Sequence, residues 1–352
     1  MSIRTIAIIA GVLTLTLSSC YREENRTRYI IAMEDIHFKQ LEGKLVIEGD
    51  DDLTIALDIL VVDSLCILID FTQQGNIFRV YDTESFNKVR FFGEIGQGPN
   101  DFLAPPWFVS TVKKNRFIVN DMNQARITEF CTANRDSINI ISSRNIFPLL
   151  HSTSVNQIDE NRFIGAKPLT ANGLFFIYDY SQDTMEWISY TTRHSRNIRE
   201  NRYRFYVNIL RANEDKNLIV CALRHFNRIL FFDFDGNHIK EVQIGSEDLF
   251  PEWDREWGMV SFNSTIYFLD MCTTTEHIYI LWVNGSLDEA GEFRQDPSKV
   301  FVFNWEKELV SALQLDMPIV RIAVSKDGSM LLGLADDGTG LTDVIKYDLR
   351  VS

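Results

Sequence analysis

Residues 63–70 read DSLCILID, a polar turn followed directly by a run of apolar residues. An apolar run of about four to eight residues after a turn is typical of a buried β-strand. The same pattern returns five times, in KNRFIVND (114–121), ENRFIGAK (160–167), DKNLIVCAL (215–223), EHIYILWV (276–283) and DGSMLLGL (327–334). Successive starts lie 46 to 61 residues apart. This period indicates a repeated unit of about 40 to 50 residues, lengthened by loops.

Each repeat contains more than this one strand. A further apolar run precedes the turn, another follows, and five of the repeats add a fourth. The first runs are LTIALDILVV (53–62), WFVSTV (107–112), STSVNQI (152–158), VNILRA (207–212), TIYFLDM (265–271) and IVRIAVS (319–325). Six units of four antiparallel strands predict an all-β fold, a six-bladed β-propeller.

The sixth repeat has only three runs before the sequence ends at Ser352. A donor for the missing outer strand is GKLVIEG (43–49), which lies just before the first blade and has no hairpin partner of its own. We expect it to pair with residues 343–349, because this closes the ring and leaves no exposed sheet edge. The alternative is a β-sandwich with a small second β domain, which would not need a regular period.

The first residues have the pattern of an export signal. Arg4 precedes an apolar run over residues 6–17, too short for the roughly 20 residues that span a bilayer. The run ends in LSSC (17–20), which resembles a bacterial lipobox, and the resemblance implies cleavage before a lipidated Cys20. An ordinary secretory signal is the alternative. We therefore expect a signal peptide over 1–19, a lipidated tether over 20–42 and the propeller over 43–352.

This organisation predicts a lipoprotein of the outer membrane, facing the periplasm or the cell surface, with membrane contact through its lipid anchor only. The net charge of −14 argues against a nucleic-acid partner, because phosphate contacts require a basic field. The aromatic share of 12% suits sheets packed face to face. Four cysteines follow Cys20, and we expect buried thiols, with disulfides as the alternative: Cys66, Cys131, Cys221 and Cys272.

One stretch resembles a known family. FGEIGQGPNDFLAPPW (92–107) joins a fourth strand to the next first strand, and it is similar to the inter-blade signature of NHL-repeat propellers. The whole chain, lipobox included, resembles the TolB-like six-bladed propeller lipoproteins of Bacteroidota, whose role is largely unassigned. Only this one linker carries the signature. Gly93, Gly96 and Gly98 within it predict a tight crossover, because no helix follows them as a phosphate loop requires.

Two unusual loops are candidate binding sites. RHSRNIRENRYRFY (193–206) holds five arginines, whose guanidinium groups match carboxylate or phosphate. We expect Arg199, Arg202 and Arg204 to bind an anion, with a solvated loop as the alternative. GSEDLFPEWDREWGMVS (245–261) places Trp253 and Trp257 four residues apart, a spacing that brings both to one side of a short helical turn. These tryptophans suit sugar stacking or a protein contact, unless they pack the loop itself.

The third candidate site is the mouth of the central channel. Loops between blades share this face with loops between second and third strands, and polar groups converging there would form a small-molecule site. The polar residues at these strand ends are Asp70, Asp121, Lys167, Arg224, His225, Asn284 and Asp336. We expect ligand contacts from Lys167, Arg224 and His225, joined by Trp107 at the start of a first strand.

No local motif predicts a reaction. The six histidines form no HxxxH, HxH or HExxH, and no GxSxG is present, so neither a local zinc site nor a serine hydrolase elbow is indicated. We expect no metal and no cofactor, with calcium as the alternative, since similar six-bladed lactonases bind it in the channel.

The sequence favours a non-enzymatic envelope protein that binds a glycan, a peptide or a partner protein. The alternative is a channel-mouth hydrolase or lyase acting on a carbohydrate or lactone, with calcium in one form of that hypothesis. A scaffold role in an outer-membrane assembly is a third hypothesis.

Overall fold

Three short strands precede the first blade: β1 (Arg28–Ile31), β2 (Lys39–Leu41) and β3 (Lys44–Ile47). A 3-10 turn at Met33–Asp35 lies between the first two. The computed structural model describes residues 28–50, 53–71, 75–109, 114–134, 137–168, 170, 172–190, 205–247, 250–254, 259–261, 263–287, 293–294, 296–336 and 340–350. No helix within these ranges is long and apolar enough to cross a membrane.

The first three blades are antiparallel sheets of four strands in chain order. Blade 1 contains β4 (Ala56–Val62), β5 (Leu65–Asp70), β6 (Asn76–Asp82) and β7 (Lys88–Glu94). Blade 2 contains β8 (Trp107–Val109), β9 (Arg116–Asp121), β10 (Arg126–Cys131) and β11 (Asn139–Asn145). A 3-10 turn at Phe147–Leu149 leads to blade 3, with β12 (Thr153–Gln157), β13 (Arg162–Ala166), β14 (Phe175–Asp179) and β15 (Thr184–Ile188).

The other three blades follow the same plan with added strands. Blade 4 contains β16 (Asn208–Asn213), β17 (Leu218–Leu223), β18 (Arg228–Phe232) and β19 (His238–Ile244). A hairpin of β20 (Trp253–Asp254) and β21 (Met259–Val260) precedes blade 5, with β22 (Ile266–Thr273), β23 (His277–Leu287), β24 (Phe293–Arg294), β25 (Lys299–Asn304) and β26 (Leu309–Leu315). Blade 6 contains β27 (Arg321–Val324), β28 (Met330–Asp336) and β29 (Thr342–Asp348).

The N-terminal strand β3 is the fourth strand of blade 6, which confirms the predicted ring closure. It pairs with β29 in antiparallel fashion, with Ile47 opposite Val344 and Leu45 opposite Ile345. Blade 6 also bonds to blade 1, where the amide of Ala56 donates to Thr342 Oγ1 at 3.1 Å. The six-bladed, four-stranded propeller expected from the sequence is therefore the fold of this protein.

The strands β1 and β2 lie on the outer edges of blades 4 and 5. Strand β1 pairs in parallel with β19, and β2 pairs in parallel with β26. Apolar residues of this segment explain the arrangement, because Ile31, Ile36 and Phe38 pack against the core between those blades. Residues 28–41, which the sequence assigned to the tether, thus pack on the propeller; Cys20 and the rest of the signal lie outside the described residues.

Aromatic rings fill the space between neighbouring blades. Phe117 and Phe130 stack at 4.7 Å between blades 1 and 2, and Phe78 meets both rings edge-on. Such contacts add to the burial of large apolar areas, which explains the high aromatic share of the sequence. The four cysteines that follow Cys20 are free thiols in strands of the blades, and Cys272 is the one in a first strand, β22 of blade 5.

The glycine-containing linker between blades 1 and 2 is a strand crossover, as predicted. Gly93 adopts φ +77°, a value that favours glycine, and a Cβ there would lie 2.6 Å from the Phe78 ring. Asp101 closes the following turn by accepting from the amide of Gly98 at 2.7 Å. The linker ends at Trp107, which begins the inner strand of blade 2.

Candidate functional site

The first strands of all six blades line the central channel, which contains two cavities. The mouth cavity, of about 260 Å³, lies where these strands begin, and Trp107, Arg224 and Arg321 are part of its wall. The far cavity, of about 100 Å³, lies where they end. Four residues line both cavities and form what we call the channel floor: Asp58, Phe108, Arg211 and Asp270.

Two β-bulges accompany the two carboxyl groups of the floor. The pairing of β4 with β5 skips Leu57, and the pairing of β22 with β23 skips Leu269. In both strands the next residue is the floor aspartate, Asp58 or Asp270. Since a bulge re-aims the side chains beside it, the bulges explain how acidic residues in apolar strands come to line the channel.

Each floor aspartate binds the backbone of the next blade. Asp58 Oδ2 accepts from the amide of Phe108 at 3.1 Å, and Asp58 Oδ1 accepts from the amide of Ile59 at 3.0 Å. Asp270 Oδ2 accepts from the amide of Ile322 at 2.9 Å. These bonds join blade 1 to blade 2 and blade 5 to blade 6. They fix the position of the carboxyl groups, and a carboxylate oxygen can accept more than one hydrogen bond.

Arginines surround this carboxyl pair. Arg211 Nη2 lies 3.7 Å from Asp270 Oδ1. Burial, and then the charge of Asp270, raise the pKa of Asp58 to about 6, although Arg321, the Phe108 amide and Arg211 act in the opposite direction. The charge of Asp270 in the same cavity disfavours the ionised form of Asp58, so the proton of Asp58 is held more tightly than in water.

The raised pKa of Asp58 predicts a pH-dependent stability. Its folded-state pKa of about 6 exceeds the ordinary value of about 3.9, so its stabilising contribution is complete below about pH 4 and is lost as the pH rises through 6. We expect Asp58→Asn to abolish this loss, which is on the order of 1–3 kcal/mol. Urea unfolding of wild type and variant from about pH 4 to about pH 7.5 measures it.

The comparison of wild type with Asp58→Asn is necessary because the protonation of His225 also contributes to the pH dependence of stability. Burial lowers the pKa of His225 to about 4, so its own contribution is lost as the pH falls toward 4, opposite to that of Asp58. The wild-type curve contains both effects, whereas the difference between wild type and Asp58→Asn isolates one. Parallel curves for the two proteins would show that Asp58 has an ordinary pKa.

The mouth cavity is cationic although the protein is acidic. The charged residues that line its described wall are three arginines and two aspartates: Arg211, Arg224, Arg321, Asp58 and Asp270. Arg224 is half-buried, and within the described residues its guanidinium has no hydrogen bond or ion pair. Burial and the charge of Arg321 lower its pKa. A guanidinium group held in this way favours an anionic partner.

Arg321 and Trp107 form the opposite part of the wall. Arg321 Nη1 donates to the carbonyl of Val320 at 2.9 Å, and its guanidinium carbon lies 5.8 Å from the centre of the Trp107 ring. A cation over an aromatic face is attracted by the ring quadrupole. The contact therefore holds the guanidinium at the cavity and leaves its other N–H groups for a ligand.

The structure separates the predicted mouth residues into two pairs. Trp107 and Arg224 line the mouth cavity, as expected. His225 and Lys167 are absent from the described lining: His225 Nδ1 lies 3.1 Å from the carbonyl of Thr265, and Lys167 Nζ lies 5.9 Å from the ring centre of Phe176. His225 thus contacts the start of blade 5, whereas Lys167 contacts a ring of its own blade 3.

The predicted loop sites are described only in part. Trp253 is in the extended strand β20, paired with Val260, so the helical turn expected from its spacing with Trp257 is wrong at this residue. Backbone pairing with β21 accounts for the extended conformation. Trp257 and the three loop arginines, Arg199, Arg202 and Arg204, lie outside the described residues.

Two other polar residues from the strand ends stabilise the blades. Asp70 is fully buried and accepts from Arg79 Nη2 at 3.0 Å, and Asp121 accepts from the amides of Asn123 and Gln124 at 3.0 and 3.1 Å. These carboxylates are engaged within their own blades and do not line the mouth cavity in its described wall.

The floor and the second mouth arginine were not predicted from the sequence. Their four charged residues belong to mostly apolar first strands: Asp58, Arg211, Asp270 and Arg321. In a propeller this strand faces the channel, so a charge inside it is the signal that would have identified them. Among the described residues, no group of three His, Cys, Asp or Glu side chains is placed to hold a metal ion.

Comparison with known proteins agrees with this architecture. A family model described as TolB-like 6-blade propeller-like matches residues 39–327. The chain belongs to the TolB-like six-blade propeller family. A search of curated proteins finds no match.

Two solved structures from Bacteroides share the TolB-like fold. A DUF4221 family member from Bacteroides vulgatus ATCC 8482 is 14% identical, with a TM-score of 0.57 over 88% of this chain and 98% of its own. A protein of Bacteroides fragilis NCTC 9343 that is described as exported is 9% identical, with a TM-score of 0.57 over 91% of this chain and 98% of its own. At these identities the likeness concerns the fold alone.

Proposed function

We propose that this TolB-like propeller is a lipid-anchored envelope protein that binds an anionic group of a glycan, peptide or partner protein in its mouth cavity. The observation that carries the proposal is Arg224, a half-buried guanidinium that lines the cavity without a hydrogen bond to any described residue. A second guanidinium, that of Arg321, shares the wall. Convergent polar groups in a concave, partly apolar cavity are typical of a ligand site.

Two features of the sequence support the remaining parts of the proposal. The LSSC motif ending at Cys20 supports a lipid anchor in the outer membrane. The arginine-rich loop, with Arg199, Arg202 and Arg204, connects blades 3 and 4, and Val207, directly after it, lines the mouth cavity. Loop arginines would extend the cationic site for a larger anionic ligand, and Trp253 and Trp257 follow in the connection from blade 4 to blade 5.

A carboxylate probe tests this function. We expect cyclohexanecarboxylate to bind wild type, and Arg224→Ala to weaken its binding by about tenfold to a hundredfold, because a charged hydrogen bond contributes about 1.5–3 kcal/mol. Titration followed by NMR gives both dissociation constants. Arg90→Ala is the matched control, since it removes the same charge from the exposed outer strand of blade 1. Equal affinities in all three proteins would refute the site.

One observation favours the enzymatic alternative. Asp58, with a pKa raised to about 6, lies beside Asp270 at the end of a cavity, and general acid–base catalysis uses such groups. A hydrolase or lyase acting on a carbohydrate or lactone is therefore the second candidate function. Turnover of nitrophenyl glycosides or of a lactone would support it. Elemental analysis of the purified protein would test the calcium-dependent version of this hypothesis.

A further inference from the structure

The channel floor is a second polar surface, distinct from the arginines of the mouth. Its two carboxyl groups come from blades on opposite sides of the ring closure, Asp58 from blade 1 and Asp270 from blade 5. Each accepts backbone amide bonds, as described above, and each also lines the mouth cavity. A ligand bound by the mouth arginines would therefore present its other end to these oxygens.

We propose that the ligand is a carboxylated sugar unit, whose carboxylate is bound by Arg224 and Arg321 while its hydroxyl groups donate to Asp58 and Asp270. This inference rests on the proposed function and names the ligand class of the same site. A sugar acid matches the cavity because it carries one anionic group and several hydroxyl groups on one small ring. Hydroxyl groups can also accept from the guanidinium of Arg211.

The charge balance of the floor favours hydroxyl groups over an ammonium group. The carboxyl groups of Asp58 and Asp270 lie near the guanidinium groups of Arg211 and Arg321, which act on the ionisation of Asp58. The three arginines and two aspartates that line the cavity give its described wall a net positive charge, so a cation gains little there. Neutral hydroxyl groups gain charge-assisted hydrogen bonds from the same oxygens without requiring a net negative field.

The size and wall of the cavity agree with a single small ring. Its volume of about 260 Å³ is below the range of about 300–1,000 Å³ that holds drug-sized ligands. Apolar side chains such as Trp107, Val155 and Leu269 share the rest of the wall with uncharged polar residues, among them Asn120 and Asn208. The C–H surfaces of a sugar ring can pack on the apolar side chains, while its hydroxyl edges face polar groups.

Four classes of probe test the ligand. We expect the tightest of D-glucuronate, D-galacturonate and D-mannuronate to bind at least about tenfold more tightly than cyclohexanecarboxylate, which has the same ring size without hydroxyl groups. D-glucose, which lacks the carboxylate, should bind more weakly than either. Isothermal titration at one pH and one salt concentration provides the comparison. L-alanine represents the ammonium alternative and should bind no better than cyclohexanecarboxylate.

The outcomes separate this inference from the proposed function. If cyclohexanecarboxylate binds as tightly as every uronate, the anion site stands and the sugar assignment is overturned. Tightest binding of L-alanine also overturns it, in favour of an ammonium ligand. If no carboxylate binds at all, the proposed function itself fails.

The variants Asp58→Asn and Asp270→Asn are expected to affect the affinities for uronate and for cyclohexanecarboxylate differently. Each variant removes a negative charge and an acceptor from the floor. We expect uronate binding to weaken by roughly threefold to tenfold, while cyclohexanecarboxylate binding stays equal or strengthens because repulsion is removed. Thermal unfolding of each variant checks that the fold is retained. Equal losses for both ligands in both variants would contradict hydroxyl recognition by the carboxyl pair.

Discussion

Replacing Ile47 with aspartate is expected to destabilise the propeller by about 4 kcal/mol or more, because it places an unpaired charge at the ring closure. Ile47 is 8% exposed on β3 and packs with Leu53, Leu334 and Val344 in the core between blades 6 and 1. An ionised carboxylate there would lose its hydration without gaining a partner. Urea unfolding followed by circular dichroism measures the change, with soluble yield as a second readout.

Leu45→Asp is the matched control for this prediction. Leu45 lies on the same strand and also faces β29, but it is 47% exposed. A surface substitution of this kind changes stability by roughly 0.5 kcal/mol. A large loss in the Ile47 variant with little loss in the Leu45 variant is the expected result. Similar stability for both variants would mean that β3 does not close the ring as the structure has it.

Asp70→Ala is expected to cost about 3–5 kcal/mol, because it leaves a buried guanidinium without its carboxylate. Arg79 donates to Asp70 Oδ2 from Nε at 3.2 Å and from Nη2 at 3.0 Å. The amides of Thr54 and Ile55 donate to Asp70 Oδ1, so the substitution also frees two backbone groups before β4. The free energy of unfolding from urea titration tests this.

Glu306→Ala is the control for the buried pair. Glu306 forms an ion pair with Lys216 at 3.3 Å, and both side chains are about half exposed. An exposed pair contributes roughly 0–1 kcal/mol, so this variant should remain close to wild type. Because Asp70 does not line the mouth cavity in its described wall, the folded fraction of Asp70→Ala should bind carboxylates as wild type does. A large loss in affinity would instead assign Asp70 to the site.

The fold could be predicted from the sequence because each blade repeats the same local pattern. A turn followed by an apolar run specifies a buried strand without reference to distant residues. The closure of the ring could be predicted because the sixth repeat has only three strands and residues 43–49 have no hairpin partner. Strands β1 and β2 were not predicted, because they have only four and three residues and pair with outer strands of distant blades.

The candidate site was predictable only in part. Trp107 and Arg224 were identified from their position at strand ends, whereas His225 follows Arg224 directly and faces Thr265 instead. Both residues lie in the turn that follows β17, where strand alternation does not fix the direction of a side chain, so position along the chain alone could not separate them.

The floor residues were missed for a different reason. Asp58, Arg211, Asp270 and Arg321 are widely spaced in the sequence, and only the closed ring brings them to one channel. The bulges that accompany Asp58 and Asp270 depend on the pairing of whole strands, which a local pattern does not reveal. The long loops were predicted as binding sites because their composition is unusual. A single charge in an apolar strand gives no such signal, since it is also typical of the end of a strand.

The order of the three N-terminal strands has a mechanical consequence. A pull on the N-terminal side of Arg28 reaches the short pairing of β1 with blade 4 first, and then that of β2 with blade 5. The force can load β3, on which the ring depends, only after both have parted. The two outer pairings thus protect the closure of the propeller from tension that is applied before Arg28.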